Sequence, residues 1–81
     1  MHQLLNSVAN EVRSGQQDLV GIEKRAMESL TQRQWNPDYI SIRKRSNLQA
    51  PTALELENKV ELVVLAAAKL GKTRLIDNLE I

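Results

Sequence analysis

One segment of this 81-residue chain contains part of a nucleotide-binding signature. Residues 66–78 read AAAKLGKTRLIDN, and Gly71, Lys72 and Thr73 match the end of the phosphate-loop pattern G-x-x-x-x-G-K-[ST]. The first glycine of that pattern would fall at position 66, which is Ala66. A phosphate loop also opens a helix, whereas RLIDNLEI after Gly71-Lys72-Thr73 has the pattern of a strand. The sequence therefore predicts a turn here and no phosphate loop.

Basic residues form the second chemical group and could contact phosphates or nucleic acid. IRKR places Arg43 and Arg45 on one face of a predicted strand and Lys44 on the other. The net charge is only +1, and Trp35 and Tyr39 are the only aromatic residues, whereas nucleic-acid binders are usually basic and often stack bases on aromatic rings. A stand-alone interaction or nucleic-acid-binding module stays open as the alternative function, with this set of cations: Arg43, Arg45, Lys69, Lys72 and Arg74.

Carboxylates form the third group, but their pattern indicates a solvated face. Glu55, Glu57 and Glu61 alternate with apolar neighbours, and no nearby residue type would tune them for acid–base catalysis. The chain has no Cys and His2 is its only His, which argues against thiolate metal sites and a Ser-His-Asp triad. We therefore predict no catalytic, cofactor-binding or metal-binding residue in this chain.

Residues 1–34 have helical periodicity and predict an αα-hairpin. A first apolar face comprises Leu4, Leu5, Val8, Ala9 and Val12, and a second comprises Leu19, Ile22, Ala26 and Leu30, with Met27 at its edge. Gly15 is a natural helix stop, and Asp18 can cap the second helix. Glu23, Lys24, Arg25 and Glu28 are expected to point largely outward.

From residue 37 the sequence predicts mostly sheet. Asn36-Pro37 ends the helical part, and alternation predicts a strand over 39–45. A loop with a short helical turn at 46–48, a helical or irregular stretch near 52–58 and a strand from about 60 to 70 follow. A type II′ turn at Gly71-Lys72 would set the last hairpin in register. That register pairs Leu70 with Thr73, Lys69 with Arg74, Ala68 with Leu75, Ala66 with Asp77, Val64 with Leu79 and Leu62 with Ile81.

The order of these segments resembles a known family. NPDYISIRKRSNLQAPT, an apolar strand and then AAAKLGKTRLIDNLEI resemble the C-terminal domain of pantothenate synthetase (pantoate–β-alanine ligase). LGKTRLIDN carries most of the likeness, which covers essentially all 81 residues. The resemblance implies an α+β fold, with the N-terminal helical hairpin packed on a three-stranded antiparallel sheet in two layers. It also implies that residues 1–81 form one domain, the C-terminal lid of a larger ligase.

The resemblance further implies the activity of the complete enzyme. Family members condense pantoate with β-alanine, using ATP and Mg²⁺, through a pantoyl-adenylate in coenzyme A biosynthesis. A Rossmann-like N-terminal catalytic domain binds the substrates and forms a homodimer. The HIGH-type motif of that domain is not in this sequence. The family's Met-Ser-Ser-Arg-Asn run, expected just upstream of residue 1, is not in it either, so no family catalytic residue can be assigned here.

Further expectations follow from the missing catalytic domain. We expect the isolated chain to be inactive and to bind ATP weakly at most. Met1 is expected to mark the start of an excised segment or to be a start codon added to one. A cytoplasmic location is expected, since the chain has no Cys and no signal-peptide pattern. A module that dimerises through its helices is a third alternative, which would give a concentration-dependent molecular weight.

Overall fold

The structure, a computed structural model, describes residues 1–81 as two layers. Its elements are α1 (His2–Arg13), α2 (Leu19–Gln32), β1 (Asn36–Lys44), α3 (Ala53–Glu57), β2 (Leu62–Leu70) and β3 (Thr73–Glu80). The strands form one antiparallel sheet in the order β1-β2-β3. The helices α1 and α2 pack on this sheet. The α+β fold implied by the resemblance is confirmed.

The core lies between the helices and one face of the sheet. Leu5, Ile22, Leu30, Ile42 and Val64 are its largest fully buried side chains. Successive strand side chains point to opposite faces, so the even-numbered apolar residues of β1 and β2 all face the helices. The two predicted helix faces supply the other side of the core, although Val12 and Leu19 are only partly buried.

A glycine inside α2 makes room for the helix cap. The Asp18 carboxylate accepts a hydrogen bond from the Gly21 backbone N–H at 3.1 Å, as the predicted cap requires. A Cβ atom on Gly21 would collide with that carboxylate. The lower helix propensity of glycine, about 1 kcal/mol against alanine, is therefore offset by the cap that it allows.

The first strand begins earlier than predicted and is irregular near its start. It runs from Asn36 through Pro37, and its register with β2 shifts between Pro37 and Tyr39, which leaves Asp38 as the extra residue. Because β1 is an edge strand, Pro37 need not donate to a neighbour. Bulges of this kind re-aim a side chain, and Asp38 is the residue affected here.

The β2–β3 hairpin has the predicted register. Leu70 pairs with Thr73, Ala68 with Leu75 and Val64 with Leu79. The Ile81 backbone N–H continues the ladder by donating to the Leu62 carbonyl at 3.0 Å. Gly71 has a φ of +64°, whereas Lys72 does not have a positive φ, which fits the predicted type II′ turn and excludes type I′. The predicted β2 starts slightly early, because the strand begins at Leu62 rather than near Val60.

One residue predicted to point outward binds the sheet instead. The Glu23 carboxylate accepts a hydrogen bond from the Ile42 backbone N–H at 2.7 Å and is half-buried. The prediction was wrong for Glu23 because the donor belongs to the edge of β1, which helical periodicity alone does not locate. The next outward amide of β1, on Lys44, donates to the Gln49 carbonyl at 2.8 Å. The edge of β1 is therefore covered at both residues.

A short helix, α3, forms in the predicted 52–58 segment. Thr52 and Glu55 make a reciprocal capping box, in which each side chain accepts from the other residue's backbone N–H. Glu55 also accepts a hydrogen bond from the Lys44 ammonium at 2.7 Å. The predicted turn before this helix spans residues 45–47, where the Leu48 backbone N–H donates to the Lys44 carbonyl at 2.9 Å and Leu48 has a φ of +59°.

The Lys44–Glu55 contact predicts a specific acid sensitivity. The Lys44 hydrogen bond, followed by the Thr52 backbone N–H, lowers the pKa of Glu55 below its ordinary value of 4.5. A lowered folded-state pKa stabilises the fold above the unfolded value, and this stabilisation is lost as pH falls through the folded value. Glu55→Gln should therefore give a shallower loss of stability below pH 4.5 than the wild type, by urea midpoint. Glu57→Gln, at an exposed neighbour, is the control; equal acid slopes for wild type and Glu55→Gln would contradict the prediction.

Candidate functional site

The face of the sheet opposite the helices carries no other element; we call it the open face. Strand register places its side chains in four rows across the sheet. From the hairpin end these rows are Asn36, Lys69 and Arg74; then Tyr39, Ala67 and Ile76; then Ser41, Leu65 and Asn78; and last Arg43, Val63 and Glu80. The sequence predicted this alternation, but not which face would remain uncovered.

The middle of the open face is apolar. Tyr39 is 38% exposed and Ile76 is 66% exposed, with Ala67 fully buried between them. Leu65 in the next row is half-buried. Charged residues occupy both ends of the face, so an apolar centre has a polar border. Protein interfaces have this organisation, and contiguous exposed apolar surface often indicates such a site.

At the hairpin end, a carboxylate pairs with one of two neighbouring basic residues. The bulge in β1 lets Asp38 reach Arg74, with an Oδ2–Nε distance of 2.8 Å. Lys69 lies opposite Arg74, as predicted, and two such cations repel each other unless an anion lies near them. Asp38 supplies an anion for Arg74 within the chain, whereas Lys69 makes no ion pair.

At the other end, Arg45 lies between Glu61, which precedes β2, and Glu80, the last residue of β3. Its guanidinium lies 3.2 Å from the Glu61 carboxylate and 3.3 Å from that of Glu80. Arg43, in the adjacent row, is half-buried and makes no ion pair. At this end of the open face, Arg43 is therefore the basic residue that can pair with an anion from outside the chain.

The predicted basic set does not form one continuous surface. Arg43 and Arg45 lie at one end of the open face, whereas Lys69 and Arg74 lie at the other, with the apolar rows between them. Arg45 and Arg74 are paired with carboxylates, and Lys72 is in the exposed hairpin turn. Nucleic-acid binding depends on clustered cations that follow a phosphate backbone, so this arrangement gives that alternative little support.

The Gly71-Lys72-Thr73 segment has none of the geometry of a phosphate loop. Ala66, at the position of the missing glycine, is fully buried in the middle of β2. Thr73 begins a strand and not a helix, so no helix N-terminus faces the turn. The predicted hairpin turn at Gly71-Lys72 is confirmed.

A groove lies on the helix side, where α1, α3 and the chain end meet. It has a volume of about 560 Å³, and its apolar lining consists of Val12, Leu56, Val60, Leu62 and Ile81. Arg13 at its rim donates to the Glu80 carbonyl at 3.3 Å. Sequence reasoning missed this groove because it joins distant segments, and no pair of carboxylates lines it.

Asp77 has a structural environment. It is half-buried on the helix side, and its carboxylate accepts from the Asn78 backbone N–H at 2.8 Å. His2 Nδ1 lies 3.8 Å from the other carboxylate oxygen, beside the start of α1. A carboxylate near a helix N-terminus interacts favourably with the helix dipole, which fits the predicted structural role.

The acidic residues and helices of the chain lack the arrangements that a metal centre or a membrane span requires. No three His, Asp or Glu side chains are gathered as metal ligands would be. None of the helices has the length and apolar character needed to cross a bilayer.

A family model described as pantoate-beta-alanine ligase matches residues 1–80. The match covers both the open face and the terminal hairpin. The chain therefore belongs to the pantoate–β-alanine ligase family.

Proposed function

We propose that this chain is the lid of a pantoate–β-alanine ligase and that its open face closes over the active site of the N-terminal catalytic domain. The observation that carries the proposal is the open face itself. It has an apolar centre at Tyr39, Leu65 and Ile76, it has charged ends, and no element of the chain covers it. A surface of this kind is stable beside a complementary surface that excludes water.

The lid contributes by exclusion and positioning. The reaction of the family forms a pantoyl-adenylate, an activated acyl group that water can hydrolyse before β-alanine attacks it. Closing an apolar surface over such an intermediate removes water and commits the intermediate to the intended nucleophile. The residues of this chain then act on the substrates by keeping the site closed.

Arg43 gives the closing surface a charge preference. It is half-buried on the open face and makes no ion pair within the chain. A facing carboxylate or phosphate would pair with it when the lid closes, and such charge complementarity contributes more to orientation than to affinity. Arg43 is thus a positioning residue in this proposal.

Substrates and metal would bind the other domain of the enzyme. The acidic side chains of this chain are not gathered at one point, so its residues do not fit Mg²⁺, and we derive no step through the metal. ATP, pantoate and β-alanine would bind the N-terminal catalytic domain, which would also form the homodimer. A cytoplasmic location remains a prediction.

A two-domain enzyme carrying Tyr39→Glu tests the lid. The added charge on the apolar centre should oppose closure and lower kcat/KM for pantothenate formation about tenfold, equivalent to about 1.4 kcal/mol. The more specific readout is the amount of AMP released per pantothenate formed. This ratio should rise above that of the wild type, since an open lid lets water hydrolyse the adenylate.

Val20→Glu is the matched control, because Val20 is 75% exposed on α2, away from the open face. It should leave both kcat/KM and the AMP ratio unchanged. The 81-residue chain alone serves as the blank and should form no pantothenate. An unchanged AMP ratio in Tyr39→Glu, or activity in the blank, would refute the proposal.

A further inference from the structure

The sheet has two edges, and the structure protects them unequally. Edge strands expose backbone N–H and C=O groups that can pair with another chain, and proteins usually block them. The β1 edge contains Pro37 and the bulge at Asp38, and its amides at Ile42 and Lys44 are bonded to Glu23 and Gln49.

Hydrogen bonding shows which β3 groups point away from the sheet. The Ile81 amide faces β2, because it donates to the Leu62 carbonyl at 3.0 Å. Backbone groups alternate in direction along a strand, so those of Arg74, Ile76, Asn78 and Glu80 point outward. Asp77 accepts from the Asn78 amide at 2.8 Å, and Arg13 donates to the Glu80 carbonyl at 3.3 Å. The outward backbone N–H and C=O groups of Arg74 and Ile76 make no hydrogen bond within the chain.

This uncovered segment is also apolar on its surface. Leu75 is 42% exposed and Ile76 is 66% exposed, and they are neighbours on β3. An open strand edge that carries large exposed apolar side chains is the arrangement that favours strand addition.

We propose that β3 pairs with β3 of a second copy of this chain, antiparallel about Leu75, to form one continuous sheet. In this register Arg74 of one copy exchanges backbone hydrogen bonds with Ile76 of the other. Leu75 then lies opposite its own counterpart, and Thr73 lies opposite Asp77 of the second copy, where its hydroxyl can donate to the carboxylate. The pairing uses the uncovered groups and needs no existing bond to break.

Neighbouring registers are less favourable. A two-fold axis at Asp77 would place two carboxylates directly opposite each other, which is destabilising. An axis at Ile76 would require the Asn78 amide, which already donates to Asp77. The self-complementarity of residues 73–77 about Leu75 is the reason to assign this edge to a second copy rather than to an unrelated strand.

The association should be weak and reversible. Only a short stretch of one edge takes part, so the buried area falls at the small end of protein interfaces. The pairing uses the backbone edge of β3, although the Ile76 side chain also lies on the open face. Slower exchange of the Arg74 and Ile76 amides is therefore the readout that separates edge pairing from contact between open faces. A closed lid and a paired edge are tested by different measurements.

Sedimentation velocity of the 81-residue chain, from low micromolar to about 1 mM, tests the pairing. The sedimentation coefficient of the wild type should rise with concentration. Ile76→Pro removes one outward donor, and because that N–H faces away from β2 the substitution breaks no bond of the existing ladder. Ile76→Pro and Ile76→Lys should weaken self-association at least about tenfold, or 1.4 kcal/mol, while far-ultraviolet circular dichroism stays that of the wild type.

Val20→Lys is the control, since it adds the same charge at an exposed apolar residue of α2. It should associate as the wild type does; loss of association in Val20→Lys would point to the helices and overturn the proposal. Hydrogen exchange supplies the site-resolved readout, because the amides of Arg74 and Ile76 should exchange more slowly at high concentration. A wild type that stays monomeric throughout, or exchange at these amides that is independent of concentration, would also overturn it.

Discussion

Replacing Leu30 with alanine is expected to lower the free energy of unfolding by about 2–5 kcal/mol, since a fully buried leucine is lost and a cavity remains. Leu30 has no exposed surface and belongs to the core between α2 and the sheet. Small domains are marginally stable, typically by about 5–15 kcal/mol, and short chains lie at the low end. The variant should therefore be largely unfolded under conditions in which the wild type is folded.

Urea unfolding followed by circular dichroism measures this effect, with Val20→Ala as the control on the same helix. Val20 is exposed, so its truncation should change stability by less than about 0.5 kcal/mol. If Leu30→Ala and Val20→Ala had equal urea midpoints, then α2 would not pack on the sheet as the structure has it. The lid proposal would then lack the rigid support that its open face requires.

Local patterns in the sequence were sufficient to predict the helical hairpin and the last β-hairpin. The register of β2 with β3 follows from one turn, because Gly71 can adopt a positive φ and side chains alternate on either side of it. Once that register is fixed, Lys69 must lie opposite Arg74 and Ala66 opposite Asp77. These pairs require no knowledge of the rest of the fold.

Contacts between distant segments could not be predicted in the same way. The Asp38–Arg74 ion pair depends on a bulge in β1. The groove beside α1 depends on where α3 and the chain end lie. Which face of the sheet stays open depends on which face the helices cover, and alternation alone treats both faces alike. The open face was therefore the least predictable part of the molecule, because it exists only where the helices leave the sheet uncovered.

Replacing Glu23 with alanine is the second change with a large expected effect, because it removes the acceptor that covers the β1 edge. A hydrogen bond to a charged group contributes about 1.5–3 kcal/mol, and its loss leaves the part-buried Ile42 amide without a partner. Glu23→Gln keeps a carbonyl oxygen at the same place and should lose much less. Glu28→Ala, at an exposed residue of α2, corrects for the change in helix propensity.

Urea unfolding gives the size of the Glu23 effect, and hydrogen exchange gives its location. In Glu23→Ala the Ile42 amide should exchange faster than its neighbours in β1, whereas in Glu28→Ala it should not. The two edges of the sheet then provide a direct comparison of amide exchange. The Ile42 amide should exchange slowly at every protein concentration, whereas the Ile76 amide should exchange slowly only at concentrations that allow pairing. Equal exchange at Ile42 in Glu23→Ala and in the wild type would show that the Glu23 carboxylate does not cover this edge in solution.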